Sequence, residues 1–347
     1  MKNNRLEEIE LALKTTNVTV ITPTVIAPII ADVARDEAIV SQLFTPMRDL
    51  VNKAGRQLIV PKYVDNIVVY SDVAEQATIL ASSFSYDALT VNVAKFGIRI
   101  DFQTEAIEQA TRDIIKDGLY MAGKAYAKEA DLRAETALLT LFPVTITTWS
   151  SGTVGTVGSS NVPIVNVISA TGATVSTFDS MGGTVLLTGS ISGATVVVSC
   201  SDVANTQEGT GTLILSDVFT LAGAMSNSSI NPDVLLVSDN DLVGLVSDTA
   251  FQNLFVPSKL YQCCEKNKLF NGEVGCVLKY SVISSGIIPS GVAILADSSR
   301  IGYDVIKRDL EGYSEKLFDQ DMVRYHLWAE REFKLLDTLA VGLIVNV

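Results

Sequence analysis

In MVRYHLWAEREFKLL, residues 322–336, apolar and polar side chains alternate. Val323, Tyr325, Leu327, Ala329, Arg331, Phe333 and Leu335 fall on one side; Arg324, His326, Trp328, Glu330, Glu332 and Lys334 fall on the other. A period of two over this length predicts a long, half-buried strand. Residues 55–100 carry a related signal in two arms, GRQLIVPKYVDNIVVYSDV and FSYDALTVNVAKFGIRI, joined by the small and polar AEQATILASS. Both arms are rich in Val, Ile and aromatics and predict a long two-stranded hairpin, which is marginal in water unless it lies on something.

Between these regions the period changes. Across residues 101–141, Ile107, Ala110, Ile114, Met121 and Ala125 recur at helical spacing, and Ala122, Tyr126, Ala130, Ala137 and Leu141 continue the pattern. Thr104 suits a helix start, with Asp101 and Glu105 near the positive end of the dipole. Glu108–Arg112 and Glu129–Arg133 are i,i+4 pairs with the acid first. One helix over this stretch would run roughly 50–60 Å at 1.5 Å per residue. Gly118 and Gly123 would each weaken its interior by about 1 kcal/mol. Ahead of the hairpin, LEEIELALK (6–14) fits a short amphipathic helix. Pro23 and Pro28 then interrupt regular structure, which predicts an extended arm followed by a helix from Ile29 to Phe44.

Residues 143–213 read differently again. Short β-type runs (VTITTW, VPIVNVIS, GTVLLTG, TVVVSC, GTLIL) are separated by Gly/Ser/Asn/Asp punctuation. The stretch GGTVLLTGSISGATVVVSC (182–200) holds no charge, but Thr, Ser and Gly interrupt it too often for a membrane span, and its β-branched runs do not suit a linker. An inserted all-β domain, sandwich or small barrel, is the remaining reading. After residue 213 an α/β pattern resumes. SDVFTLAGAMSNSS predicts a helix capped by Ser216 or Asp217; PDVLLVSDNDLVGLV a strand, a turn and a helix; VGCVLKYSVISS and VAILADSSRIGYDVI strands.

Composition narrows the function classes. The 347 residues are 48% hydrophobic and carry a net charge of −13. Such a balance supplies a real core and disfavours tight electrostatic binding of nucleic acid. No Lys or Arg lies between Arg133 and Lys259, so any phosphate contact must come from the flanks. The N-terminus has no apolar core of a signal peptide.

Candidate chemistry is sparse. Cys200, Cys263, Cys264 and Cys276 form no disulfide framework, and with a single histidine, His326, they do not have zinc-site spacing. His326 on the polar face of a strand reads as a surface or interface residue. Neither a GxSxG elbow nor a dinucleotide or Walker loop occurs, and GTVGTVGSS (152–160) lacks a lysine and a following helix. Asp239 and Asp241 suit a helix start rather than a calcium loop. The expectation is a non-enzyme with no catalytic, cofactor-binding or metal residues and no cofactor.

The order of elements resembles the major capsid proteins of tailed bacteriophages. GRQLIVPKY, the return FSYDALTVNVAKFGIRIDFQTEAIEQATRDI, DLRAETALL, NPDVLLVSDNDLVGL and VRYHLWAEREFKLL carry the resemblance, over 1–142 and 214–347. It implies an α+β tailed-phage major capsid fold: N-terminal arm and short helix (1–50), extended two-stranded loop (51–100), spine helix of a peripheral domain (101–142), inserted β domain (143–213), axial domain (214–305) and peripheral strands (306–347). It further implies an icosahedral head shell around double-stranded DNA, assembled in the host cytoplasm and resident in the virion. Expected partners are other copies in hexamers and pentamers, a portal, and scaffold or decoration proteins; DNA is enclosed without sequence-specific binding, and no membrane is involved. An encapsulin-type nanocompartment shell is the alternative. Some family members cross-link through a loop lysine; Lys62 and Lys95 lie in the ribbon, but no motif assigns either to that role, and no cross-linking is expected.

Overall fold

The computed structural model describes residues 23–64, 85–105, 114–146, 149–150, 154–156, 163–171, 174–179, 184–188, 194–209, 211–257, 272–317 and 321–345. The expected helix at 6–14 and the Cys263/Cys264 pair lie outside them. In chain order the elements are α1 (Pro23–Glu37), a 3-10 turn (Ser41–Leu43), β1 (Thr45–Met47), β2 (Gln57–Val64), β3 (Ser85–Asn92), β4 (Ala94–Gln103) and α2 (Ile114–Leu138). Then come β5 (Leu141–Ile146), β6 (Trp149–Ser150), β7 (Val154–Thr156), β8 (Ile164–Thr171), β9 (Thr174–Asp179), β10 (Thr184–Thr188), β11 (Thr195–Ser201) and β12 (Asn205–Glu208). The remainder is α3 (Leu215–Asn227), β13 (Val234–Val237), α4 (Asp239–Ser247), α5 (Thr249–Leu254), β14 (Phe255–Pro257), β15 (Glu273–Val277), β16 (Tyr280–Ser284), β17 (Val292–Ala296), β18 (Gly302–Leu317), β19 (Met322–Leu335), a 3-10 turn (Thr338–Ala340) and β20 (Val341–Val345).

Two compact units emerge. The first comprises Met1–Glu37, Ala94–Glu129 and Lys307–Arg331. Its core joins Ala27, Ile30 and Ala34 of α1, Leu119, Ala122 and Tyr126 of α2, Phe102 of β4, and Tyr325 and Leu327 of β19. Helix α1 corrects the sequence reading, because it begins at Pro23 and runs through Pro28. Proline is well tolerated in a first turn; at position 28 its missing bond costs up to about 3 kcal/mol, and the burial of Ala27, Ile30 and Ala34 offsets this. The chain beyond Glu37 forms only a short 3-10 turn where a helix to Phe44 was expected.

Strand β4 pairs with β19 in antiparallel register from Gln103↔Met322 to Ala94↔Arg331. The expected single helix over 101–141 is therefore too long: residues 101–103 are strand, helix begins at Thr104, and α2 ends at Leu138 before β5. Residues 106–113 are outside the described set, as is the Glu108–Arg112 pair. The buried stripe of α2 is Leu119, Ala122, Tyr126, Ala130, Ala134 and Leu138, whereas Met121 is 66% exposed and Ala125 is exposed too. Gly118 and Gly123 prove to be sites of close approach: a Cβ would stand 2.8 Å from the Phe102 ring at the first and 2.6 Å from Val33 of α1 at the second.

The second unit comprises Ala38–Val93, Ala130–Ile306 and Glu332–Val347. Its centre is a seven-stranded mixed sheet in the order β12-β20-β17-β13-β16-β15-β14. Every residue of β13, β17 and β20 is buried, as befits strands covered on both faces. Leu235, Val237, Ala293 and Leu295 pack on one side with α3 and α4; Val234, Leu236, Ile294 and Ala296 pack on the other with Phe44, Leu138 and Phe333. Asp131 of α2 ties down the chain after α1, accepting 2.8 Å hydrogen bonds from the amides of Ile39 and Ser41.

Strands β2 and β3 form the expected antiparallel ribbon, from Gln57↔Asn92 to Val64↔Ser85 among the described residues. The second arm is not one strand, however: at Val93, whose amide donates to the Arg56 carbonyl, it leaves the ribbon and continues as β4 in another sheet. Within 141–201 lie two further small sheets, β5-β11-β8 and β6-β7-β10-β9. Ile146, Ile164, Val185, Leu187, Val196 and Val198 of both sheets share one apolar cluster. The last strand of the expected 143–213 region, β12, instead pairs in parallel with β20 in the seven-stranded sheet.

Candidate assembly surfaces

The ribbon presents two unlike faces because side chains alternate across each strand. Leu58, Val60, Leu89 and Val91 pack with Leu50, Val93 and Val305. On the opposite face Ile59 stands 62% exposed opposite Thr90, Pro61 opposite Ala88, and Tyr86 is exposed beside them. At the ribbon's described end Lys62 is 3.9 Å from Asp337. A second apolar surface lies on α4, where Val243 is 67% exposed and Val246 is exposed one turn on. An exposed Ile or Val alone needs no explanation; a row of them on a ribbon or a helix marks a surface that water covers poorly.

The elements behind these surfaces are held by carboxylates. Ser238 caps α4, its hydroxyl oxygen accepting from the Asp241 amide and its hydroxyl donating to Asp241 Oδ2 at 2.7 Å. Asp241 in turn accepts from Ser290 Oγ and the Gly291 amide. Asp248 accepts from the amides of Leu215 and Ala250, and so caps α3 from 33 residues away as well as α5 locally. These two bonds hold its carboxyl below the usual range. This replaces the expected cap at Ser216 or Asp217: α3 starts after Ile214 without a side-chain cap of its own, and Asp217 is buried with its pKa raised by desolvation. In the first unit, Arg324 grips Asp101 with bonds of 2.8 and 3.2 Å, and that pairing lowers the Asp101 pKa.

Among the buried acids, Glu135 faces open space. Glu135 of α2 is 6% exposed, and its carboxyl has no hydrogen-bond or ion-pair partner among the described residues. Burial alone pushes its pKa up to about 7. It lines a cavity of about 570 Å³ together with Leu132, Asn166, Ile168, Ser199 and Asp239.

No family model matches this sequence, and no curated protein matches it either. Solved structures do. The asymmetric unit of the bacteriophage PhiM1 mature capsid aligns over 89% of this chain and 86% of its own, with a TM-score of 0.51 at 8% identity. The fold is that of a phage capsid protein. A structure from Mycobacterium phage Ogopogo aligns over 89% of this chain and 92% of its own (TM-score 0.53, 12% identity), and one from Mycobacterium phage Adephagia over 89% and 90% (TM-score 0.52, 14% identity). Identities this low, at such coverage, speak for a shared backbone plan and for nothing finer.

Within this capsid fold, the side chains weighed for chemistry do not come together. His326 lies 3.4 Å from Glu315 on the polar side of β19. Lys95 sits over the Trp328 ring at 4.5 Å. Cys200 is buried, which raises its pKa, and Cys276 is buried apart from it in the seven-stranded sheet. Asp239 and Asp241 open α4 as expected. Of GTVGTVGSS, the described residues 154–156 are strand β7. Among the described residues no helix is long and apolar enough to cross a membrane. Sequence reasoning passed over Asp131 and Glu135. The available signal was their position: both fall on the stripe of Ala130, Ala134 and Leu138, where a charged residue is out of place.

Proposed function

We propose that this chain is the major capsid protein of a tailed virus, a non-enzymatic subunit that assembles into an icosahedral shell enclosing double-stranded DNA. The observation that carries the reading is the capsid fold itself, matched over 89% of the chain by a mature phage capsid. The ribbon supports it, since Ile59, Pro61 and Tyr86 form an outward face that a neighbouring copy would cover. Closed symmetry multiplies modest contacts into a stable shell. Hexamers and pentamers of this chain, a portal, and scaffold or decoration proteins are the partners of this reading. The acidic balance keeps enclosed DNA from adhering to the wall.

The two small sheets between Leu141 and Ser201 serve in this reading as an inserted β module on the outer surface. Their support is the shared apolar cluster and the lack of any Lys or Arg from 134 to 258. Electron microscopy of the purified protein tests the function. Closed shells of uniform size are expected, and shells with a portal vertex and packaged DNA in infected cells identify the virus. Shells filled with a cargo protein instead would assign the chain to the encapsulin-type alternative. A stable monomer at micromolar concentration would end both readings.

A further inference from the structure

The Glu135 cavity combines acids with hydrocarbon and holds no basic side chain. Its walls come from α2 (Leu132, Glu135), β5 (Leu141), β8 (Asn166, Ile168), β11 (Ser199), the start of α4 (Asp239) and the loop 286–290. Two carboxylates therefore face about 570 Å³ of space, and no Lys, Arg or His lines it. Asp239 is the other titratable group on these walls; β8, β11 and the loop contribute none. At the start of α4 the Asp241 amide is already bonded to Ser238 Oγ, and burial is the cause acting on Glu135. The nearest cation in sequence, Arg133, does not line the cavity and lies 3.8 Å from Glu332 instead. A metal ion is poorly suited: among the described residues no cluster of three or more His, Cys, Asp or Glu side chains could hold one. Leu132 and Ile168 instead offer hydrocarbon beside the carboxylate.

We propose that this cavity binds an alkylammonium cation, its ammonium paired with Glu135 and its carbon chain lying along Leu132 and Ile168. A buried carboxylate without a partner is held only at a cost, which a desolvated ammonium removes. The ammonium comes from a free diamine or from a lysine of a second copy of this chain; the chemistry is the same. Binding is linked to a proton. Glu135 must be ionised to pair, and burial places its pKa at about 7, so the affinity rises with pH across neutrality.

The test is thermal unfolding of the purified full chain with putrescine as the probe, at pH 6 and pH 8, against sodium chloride of matched ionic strength. A saturable rise in Tm at pH 8 is expected. The apparent affinity should fall about tenfold at pH 6, following the ionised fraction of a group with pKa near 7. Glu135→Gln should abolish the rise while folding normally, and Asp239→Asn should weaken it. An equal rise in Glu135→Gln, a rise indifferent to pH, or no rise beyond that of sodium chloride would overturn the proposal. Repeating the titration on assembled particles separates the sources. Particles that still take putrescine hold a free amine, whereas particles that exclude what the unassembled chain accepts hold a lysine of a neighbouring copy.

Discussion

Glu135 shows how one residue can set a pH response. Its carboxyl titrates near 4.5 when unfolded and at about 7 when folded. The unfolded chain therefore loses this proton first. The stability contribution is complete below pH 4.5, declines as pH rises, and levels off above pH 7. The difference amounts to about 3 kcal/mol. Urea unfolding of the wild type between pH 5 and pH 8 should show this decline, and Glu135→Gln should flatten it. Gly123 makes an opposite kind of point. On helix propensity alone Gly123→Ala would stabilise α2 by about 1 kcal/mol. The Val33 side chain 2.6 Å from the new Cβ makes it destabilising instead, by about 1–3 kcal/mol in the same measurement. The stripe of Ala130, Ala134 and Leu138 marks Glu135 as out of place, but the cavity it faces, like the Val33 wall against Gly123, is supplied from elsewhere in the chain.

At the scale of elements, Asp248 links two helices. Its carboxylate caps α3 and α5 together, so Asp248→Ala should lower the urea midpoint more than Asp248→Asn, which keeps one acceptor oxygen. Amide exchange should quicken at the first turns of both helices; an effect confined to α5 would contradict the shared cap. Long-range capping leaves no local signal at the start of α3, because the oxygen it uses is 33 residues distant. The ribbon's division at Val93 has a similar origin. FSYDALTVNVAKFGIRI is uniformly β-like, and only the competing ladder with β19 takes residues 94–103 away from β2. The excursion from 141 to 201 belongs to the same scale. Replacing residues 147–194 by a short Gly/Ser turn leaves β12 with its partner β20. If the excursion is a module of its own, the shortened chain should still unfold cooperatively.

For the whole molecule, assembly is the property to measure. Ile59 points away from the ribbon's packed face, so Ile59→Asp should leave the circular dichroism spectrum and unfolding midpoint of the subunit nearly unchanged while abolishing closed particles in electron micrographs. Normal particles from this variant would show that the ribbon's outer face is not an interface. The seven-stranded sheet sets the opposite expectation. Leu236→Ala removes a side chain buried between strands and Phe333-side packing, and should cost about 2–5 kcal/mol in the subunit before any effect on assembly.

Sequence by itself determined the alternation of β19, the ribbon, the strand-turn-helix at 234–247 and the absence of basic residues from 134 to 258. These are short-range signals: side-chain period, turn chemistry and charge act over a few residues and survive without knowledge of partners. Tertiary structure alone decided that α1 tolerates Pro28, that two helical glycines are contact sites, that Asp248 caps a distant helix, that β12 leaves its neighbours for β20, and that Glu135 faces a cavity without a partner. Each of these turns on which surfaces meet, and the energy of a meeting surface belongs to both sides of it.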